Sequence, residues 1–463
     1  MDKLKSNISI KKVITKMKKE GNPLKESIKG AVTKFLEASK NKEVLVVSHF
    51  DTDGISSAAI MIRALKRLDR KFSVKILARL EPEFIHKLEK NKLMVFLDLA
   101  SGMLDHIAER GFQQVFIIDH HEVIQQVPKE VIMVNPMLND KEKISSSGLT
   151  YMFCKEMSAD NGDLAKLGVL GMIGDLMEEN IDKLNGDVLG VEEGDIKRRR
   201  GLLVYPSTRP VNKVLEYSSN PYIPGITGNP TGITELLRNA GIEPISGKYK
   251  SIIELSEEEM KNLVTAIMLR KPNTKNKEIV GDIFLLKFFN KLEDARELSA
   301  MINACSRLDE PEIALQFCME IPGARKRAEA IHLRYKQHII SGLEFARNAK
   351  KLNGPGFLII NAKDNIKDTI IGTIASILSN SSMYDEGTII TAMAYYEDKI
   401  KVSARNVGRT GRNVREILDS VVREIGGEVG GHEFAAGCII QQSKEEDFIQ
   451  ALQKRCEIEL VKI

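Results

Sequence analysis

From residue 43 the sequence alternates short, unbroken apolar runs with stretches of helical spacing, and nothing else in it constrains the fold as tightly. Glu43–Ser48 (EVLVVS), Phe72–Ala78, Leu93–Leu97 (LMVFL), Gln114–Ile118 (QVFII) and Val131–Val134 (VIMV) read as strands. They are apolar along their length, rich in β-branched residues, and bounded by turn residues. Gly54–Leu68 and Glu81–Lys90 carry helical spacing between them, the second with Pro82 near its first turn. Buried strands joined by short helices define a parallel sheet covered on both faces.

Ser145–Ser147 precede Gly148–Met157 and predict a capped helix whose N-terminus faces the same sheet edge, with a second apolar helix over Leu164–Met177. The composition then shifts. Asp187–Gly201 mixes charges of both signs and ends in Lys197-Arg198-Arg199-Arg200-Gly201, and Tyr205–Gly232 is rich in Pro and Gly, so a seam falls near 190. Residues about 232–345 read as mostly helical. Alternation resumes with Gly356–Asn361, Thr369–Ser379, Gly387–Tyr396 and Lys399–Ser403. A helix over Asn413–Ile425, a glycine-rich loop and a last strand–helix pair follow. At 463 residues the chain is about three times a typical domain of roughly 150. The expected order is a basic helical arm over 1–42, an α/β domain over 43–190, a mostly helical middle domain over 191–345, and a smaller α/β domain over 346–463.

A hydrophobic fraction of 43% with 29% charged residues excludes a disordered chain. No apolar run reaches the length of a membrane helix, and the first residues offer no secretory signal. Five scattered cysteines, without Cys-x-x-Cys or Cys-x-His spacing, argue against structural zinc and for reduced thiols, so a cytoplasmic protein is expected. Net charge is only +4, but residues 1–42 hold twelve Lys against four acids. That segment is read either as an electrostatic guide for phosphates or as a solvated lysine-rich helix.

The chemistry lies in where acids and histidines fall. His49, Asp51 and Asp53 (HFDTDG) follow the first strand, Asp98 ends the third, and Asp119, His120 and His121 follow the fourth. Residues just past the ends of parallel strands gather along one edge, where open α/β sheets bind ligands. Asp175, in MIGDLM, is a further candidate. Taken singly, each Asp reads equally as a turn former or helix cap. Together, so many carboxylates repel one another unless cations neutralise them. A mixed Asp and His set suits Mn²⁺, with Mg²⁺, Co²⁺ or Fe²⁺ as substitutes, and is large enough for the two ions of in-line displacement at phosphorus.

HFDTDG, the strand-end Asp98, the DHH of 119–121 and the GxxGD of 171–175 resemble motifs I to IV of the DHH phosphoesterase superfamily. VSARN at 402–406 and GGHEFAAG at 430–437 resemble its partner DHHA1 domain. The chain thus resembles RecJ-like exonucleases, in particular an archaeal branch that includes the GINS-associated and helicase-associated nucleases. The resemblance covers about 43–180 and 345–460. It implies that Asp98 bridges two metals, with His49 and Asp51 mainly on one ion and Asp53, His120 and Asp175 on the other. His121 would support the metal ligands from behind or contact phosphate, and Asp119 would orient the histidines, both within the catalytic group with Asp98 and His120. One departure is that His49 precedes Asp51 by two residues, where some members place this histidine four before.

Glycines let backbone N–H groups approach an anion and His432 and Arg405 supply donors, although a Gly-Gly-His loop alone reads as a tight turn; the resemblance implies that Ser403, Arg405, Gly430, Gly431 and His432 form the substrate-holding half. The family implies catalysis in a cleft between the two halves. The expected function is a metal-dependent exonuclease acting on an end of single-stranded DNA or RNA in replication or repair. With few aromatics and no Trp, phosphate contacts should dominate and salt sensitivity should be strong. Alternatives are a phosphodiesterase of short oligonucleotides or cyclic dinucleotides, and a non-catalytic replication scaffold. Residues about 190–340 would dock a GINS complex or a repair helicase, or would act as a cap on the channel; no membrane is involved.

Overall fold

The structure, a computed structural model, describes residues 22–139, 142–184, 194–204, 206–218, 223–270, 279–381, 383–408 and 410–461. Residues 1–21 of the lysine-rich segment and 187–193 of the mixed-charge stretch lie outside these. The chain divides into two compact units, one reaching to Gly201 with Asp282–Glu329 added, the other combining Leu202–Gly281 with Ala330–Ile463. Asp282–Glu329, part of the middle segment in sequence, thus belongs with the first unit.

In the first unit helix α1 (Pro23–Ala38) starts at Asn22, whose side chain accepts from the Lys25 N–H at 3.1 Å. Leu24, Ile28, Ala31, Val32 and Phe35 bury one face, and the Phe35 ring meets Phe116 and Phe153 edge-on at 5.2 and 5.6 Å. The described part of the lysine-rich segment is therefore a covering helix with lysines on its outer side. Strands β1 (Val44–His49), β2 (Phe72–Leu77), β3 (Leu93–Leu97), β4 (Val115–Ile118) and β5 (Val131–Val134) form one parallel sheet in the order β2-β1-β3-β4-β5. Helices α2 (Thr52–Arg67), α3 (Pro82–Lys87) and α4 (Leu104–Arg110) connect the first four strands, and α5 (Ser146–Met157) and α6 (Ala165–Gly174) follow. β1, β3 and β4 are almost wholly buried, as expected where helices cover both faces.

The register carries the consequence for function. Ser48 lies opposite Leu97, and Leu97 opposite Ile118. The next residue of each strand is His49, Asp98 and Asp119, so the three stand side by side at the carboxyl edge. The ladder runs on past the strands, with Asp98 N–H on Ile118 O at 3.0 Å and Asp119 N–H on Val134 O at 3.2 Å.

The middle segment is mostly helical but also holds a sheet: β6 (Ile196–Leu202), β7 (Val280–Phe288) and β8 (Lys291–Asp294) pair in that order. Along the same segment the chain also forms α7 (Val211–Glu216), α8 (Pro230–Asn239), α9 (Glu257–Arg270), α10 (Ala295–Arg307), α11 (Pro311–Cys318) and α12 (Ala324–Asn348). In the second unit β9 (Leu352–Gly354), β10 (Phe357–Asn361), β11 (Ile389–Tyr396), β12 (Lys399–Asn406), β13 (Glu428–His432) and β14 (Ala435–Gln441) make a mixed sheet ordered β13-β14-β12-β11-β10-β9. Helices α13 (Asp368–Ser379), α14 (Val414–Ile425) and α15 (Glu445–Val461) complete it. The glycine-rich segment expected as a loop is instead strand β13, joined to β14 through Glu433 and Phe434 as a hairpin. Among the described residues no helix is long and apolar enough to cross a membrane.

Candidate metal centre

The HFDTDG segment turns from β1 into α2 within two residues. Asp51 caps the helix, accepting the Gly54 N–H at 3.0 Å. A Cβ on Gly54 would stand 2.3 Å from the His49 carbonyl oxygen, so only glycine allows the helix to start this close to the strand. Asp53, in the first turn of α2, is buried against the N-terminus of α5. Its carboxylate accepts the Ser145 hydroxyl at 2.6 Å, the Ser146 N–H at 2.7 Å and the Ser147 N–H at 3.0 Å. Ser145 was expected as the cap of that helix, yet its hydroxyl makes no cap and donates to Asp53 instead. Gly171 makes room for this contact, since a Cβ there would lie 2.4 Å from Asp53 Oδ1.

Asp98 is buried with φ +61°, in the left-handed region, and Ala100 and Leu176 at the same edge have φ +89° and +57°. Each such position costs about 1–3 kcal/mol, held by the surrounding structure. Asp98 Oδ2 is 3.4 Å from His49 Nδ1, and Oδ1 is 3.5 Å from His120 Nε2 and 4.0 Å from His121 Nδ1. The carboxylate therefore faces one histidine from one oxygen and two from the other. His49 Nδ1 also stands 3.0 Å from Asp51 Oδ2, and Asp175 Oδ2 is 3.2 Å from His120 Nε2.

Asp119 is fully buried and turned to N–H groups. Oδ1 accepts from His120 N–H at 2.8 Å and sits 2.7 Å from His121 Nδ1, and Oδ2 accepts from Ser101 N–H at 3.0 Å. Its chemistry is to hold the backbone of 119–121 and the His121 ring.

These contacts bring together three ligand groups whose atoms lie within 4.8 Å of one another: His49, Asp51 and Asp98; Asp98, His120 and His121; and Asp53, His120 and Asp175. Asp98 Oδ1 is buried in them with no hydrogen-bond partner among the described residues, and buried His49 Nδ1 meets the carboxylate oxygens of Asp51 and Asp98. Leaving such an atom unpaired costs about 1–3 kcal/mol, so a donor set of this kind fits a divalent cation.

The electrostatics point the same way. Burial, and then Asp51, Asp53, Asp175 and Asp119, push the Asp98 carboxyl well above the usual range. Burial, followed by Asp53 and Asp51, pushes Asp175 up to about 9. Burial would raise Asp51 too, but the adjoining His49 and the Gly54 N–H outweigh it and hold this carboxyl low. For Asp119 burial is overcome by His121 and the Ser101 N–H. Burial lowers His120, whereas the hydrogen bond to Asp119 raises His121. Five carboxylates cannot all ionise here without countercharge.

A buttress from far along the chain completes the site and has no signal in local sequence. Asn303 of α10 accepts the Thr52 N–H at 3.0 Å. The Thr52 hydroxyl donates to Ser299 O at 3.1 Å, and Ser306 donates to Phe50 O. One face of α10 thus grips the turn that carries Asp51 and Asp53.

In the second unit the expected substrate-holding residues fall into two rows across three strands. Ser403, Gly437 and Gly430 are paired in one, and Arg405, Ala435 and His432 in the next, with Gly431 between them on β13. Arg405 donates from Nε to Ser376 Oγ at 3.0 Å and from Nη1 to Ala404 O at 2.8 Å. Ser403 is buried, and Gly430, Gly431 and His432 are exposed on the edge strand.

A unit whose parallel sheet carries acids and histidines at its carboxyl edge, and a second unit built on a mixed sheet, define the class. The DHH family N-terminal domain matches residues 43–172, the DHHA1 domain 354–457 and the DHH-CID domain 205–279. The chain thus carries the two domains, DHH and DHHA1, of the DHH/DHHA1 phosphoesterase superfamily. An uncharacterised protein of Methanocaldococcus jannaschii is 28% identical over 429 residues, covering 89% of this chain and 92% of that one. Among solved structures, RecJ of Thermus thermophilus in complex with Mn²⁺ is similar, at TM-score 0.58 and 17% identity. The match covers 92% of this chain but only 54% of that one, so the chain spans about half its length. CDC45 of Entamoeba histolytica is similar at TM-score 0.63 and 11% identity, over 92% and 99% of the two chains. At such identities these likenesses concern the fold alone.

Proposed function

We propose that the protein is a metal-dependent exonuclease that removes nucleotides from an end of single-stranded nucleic acid, DNA by preference, within a RecJ-like archaeal branch. The observation that carries this reading is the row of His49, Asp98 and Asp119 at one sheet edge, with Asp98 facing His49 from one oxygen and His120 and His121 from the other. His49, Asp51 and Asp98 would hold one ion, and Asp53, His120 and Asp175 a second, with Asp98 shared. Two Mn²⁺ ions, or Mg²⁺ or Co²⁺ in their stead, would supply an activated water and neutralise charge developing on the phosphate. His121, its Nδ1 fixed on Asp119, would present Nε2 to a non-bridging phosphate oxygen. Ser403, Arg405, Gly430, Gly431 and His432 would hold a phosphate of the strand. The 28% identical relative in Methanocaldococcus jannaschii supports the archaeal placement, and residues 190–340 would dock a GINS complex or a repair helicase.

The test is Mn²⁺-dependent digestion of single-stranded 30-mers of DNA and RNA, labelled at either end, beside Asp98→Ala. Progressive loss of mononucleotides from one end, absent in the variant, is expected. Intact 30-mers with cleaved dinucleotides would replace this reading with a short-oligonucleotide phosphodiesterase. Inertness towards both would leave a replication scaffold.

A further inference from the structure

A fourth cluster of ligand-type side chains shares no residue with the strand ends and lies where α3 and α4 pack together. Ile85 of α3 and Leu104 and Ile107 of α4 are buried, in one core cluster with Leu80, Leu88 and Phe112. That burial dictates where their neighbours point. His86, one residue past Ile85, turns outward, while His106 and Glu109, three apart, share the adjoining face of α4. Arg110 keeps the two helices in register by donating to Leu88 O at 2.6 Å.

His106 Nδ1 consequently lies 3.4 Å and His86 Nε2 3.9 Å from the same oxygen, Glu109 Oε2, with all three ligand atoms within 4.8 Å of one another. The two rings meet edge to face at 5.9 Å. His106 Nδ1 is shielded from solvent and has no hydrogen-bond partner among the described residues. Ligands at the corners of a tetrahedron, with bonds of about 2.0–2.1 Å, sit about 3.3 Å apart. Small side-chain rotations bring these three atoms to that spacing. Two imidazoles and one carboxylate form a borderline donor set that suits zinc better than magnesium or calcium.

We propose that His86, His106 and Glu109 bind one Zn²⁺ ion, with water as the fourth ligand, independently of the strand-end constellation. The ion would act as a staple. α3 has six residues and α4 seven, neither is capped by its own N-cap side chain, and helices this short do not hold themselves together; the start of α4 leans on Gln125, whose Oε1 accepts the Leu104 N–H at 2.8 Å. They form the connections leading into and out of β3, whose end carries Asp98. Cysteine spacing argued against structural zinc, but these ligands come from two helices about twenty residues apart, a pairing that no local motif displays.

The experiment uses the full-length protein, stripped with chelator and dialysed against micromolar Zn²⁺, with bound zinc and Tm both measured. Wild type and Asp98→Ala should both hold this ion. His86→Ala and Glu109→Gln should each bind one zinc fewer per chain than wild type, with affinity at the site weakened at least about ten-fold. Both should lose the zinc-induced rise in Tm that Asp98→Ala retains. Glu109→Gln keeps the shape of the side chain, and circular dichroism checks that each variant is folded. Equal zinc content in wild type and both variants would overturn the proposal, as would a zinc-dependent rise in Tm that survives in both. The outcome does not depend on nuclease activity.

Discussion

The two regions that carry the family's motifs solve opposite physical problems. At the strand ends of the first unit, charge is concentrated in a buried place: Asp53, Asp98 and Asp119 are inaccessible, and Asp98 and Asp175 are pushed towards their neutral forms. In the second unit, the rows of Ser403, Arg405 and His432 run out onto a largely exposed edge strand that carries Gly430 and Gly431. The first region is built to be neutralised from outside, the second to be approached. Substitutions should therefore fail differently in the two, by lost chemistry and lost metal in one and by lost contact in the other.

The largest expected effect is that of Asp98→Ala. Asp98 faces His49 from one oxygen and His120 from the other, so its loss removes a ligand from two groups at once. Turnover should fall by at least about 10³-fold, beyond the upper range for one electrostatic stabiliser. The cost of burying this carboxyl among other acids is also relieved, so Tm in chelator should stay the same or rise. A variant that cleaves 30-mers at near-normal rates would break the comparison outright.

Metal itself is the next lever, and its pH dependence has a definite sign. An Asp carboxyl in the unfolded chain titrates near 4, whereas Asp175 in the folded, metal-free protein is pushed up to about 9. Stability from this group is complete below about pH 4 and drains away as pH rises towards 9, because the folded carboxyl resists ionising. Divalent cations reverse this by binding the ionised form and expelling its proton. The rise in Tm on adding Mn²⁺ should therefore be larger at pH 8.5 than at pH 6, and titration at pH 7 should release protons. A Mn²⁺ effect that shrinks with rising pH would count against cation binding at Asp175.

Much of the first region was legible because its strands are apolar on nearly every residue, so their ends, and the acids beyond them, could be located. The pairing was not. That His49, Asp98 and Asp119 stand in one row depends on register between strands, which the runs of Val, Ile and Leu do not encode one by one. The grip of Asn303 on Thr52 joins residues about 250 apart and leaves no local trace. In the second region the reading of 426–432 as a loop followed turn statistics for glycine. Here Gly431 serves a strand instead, with φ +117° and a position where a Cβ would stand 2.5 Å from Ala435 O. The sheet of β6, β7 and β8 was hidden by the helical spacing on either side of it.

Asn303 offers a smaller and more discriminating test. Among the described residues its side chain bonds to no proposed ligand but to the backbone N–H of Thr52, between Asp51 and Asp53. Asn303→Ala should weaken Mn²⁺ affinity about 10-fold, as loss of an orienting partner does. At saturating Mn²⁺ most of the turnover should return, and Asn303→Asp, which keeps an acceptor, should restore much of the affinity. A loss of turnover that excess Mn²⁺ does not repair would mean that α10 shapes more than the metal-bearing turn.

The smallest effect belongs to His432→Ala. The side chain is exposed, and its backbone is held by pairing with Ala435, which alanine preserves. Stability should change by no more than about 0.5 kcal/mol, the usual scale for a surface substitution. If His432 contacts a phosphate of the strand, KM for a 30-mer should rise several-fold at constant kcat, the mark of binding shared by ground and transition states. The effect should be larger in low salt, where a phosphate contact is least screened. Gly431→Ala, one residue away, is the control for the other mode of failure: it should lower Tm, because the strand cannot accept a Cβ there. A fall in kcat for His432→Ala without a change in KM would put this edge strand with the reacting groups, and the division between a region that is neutralised and a region that is approached would no longer hold.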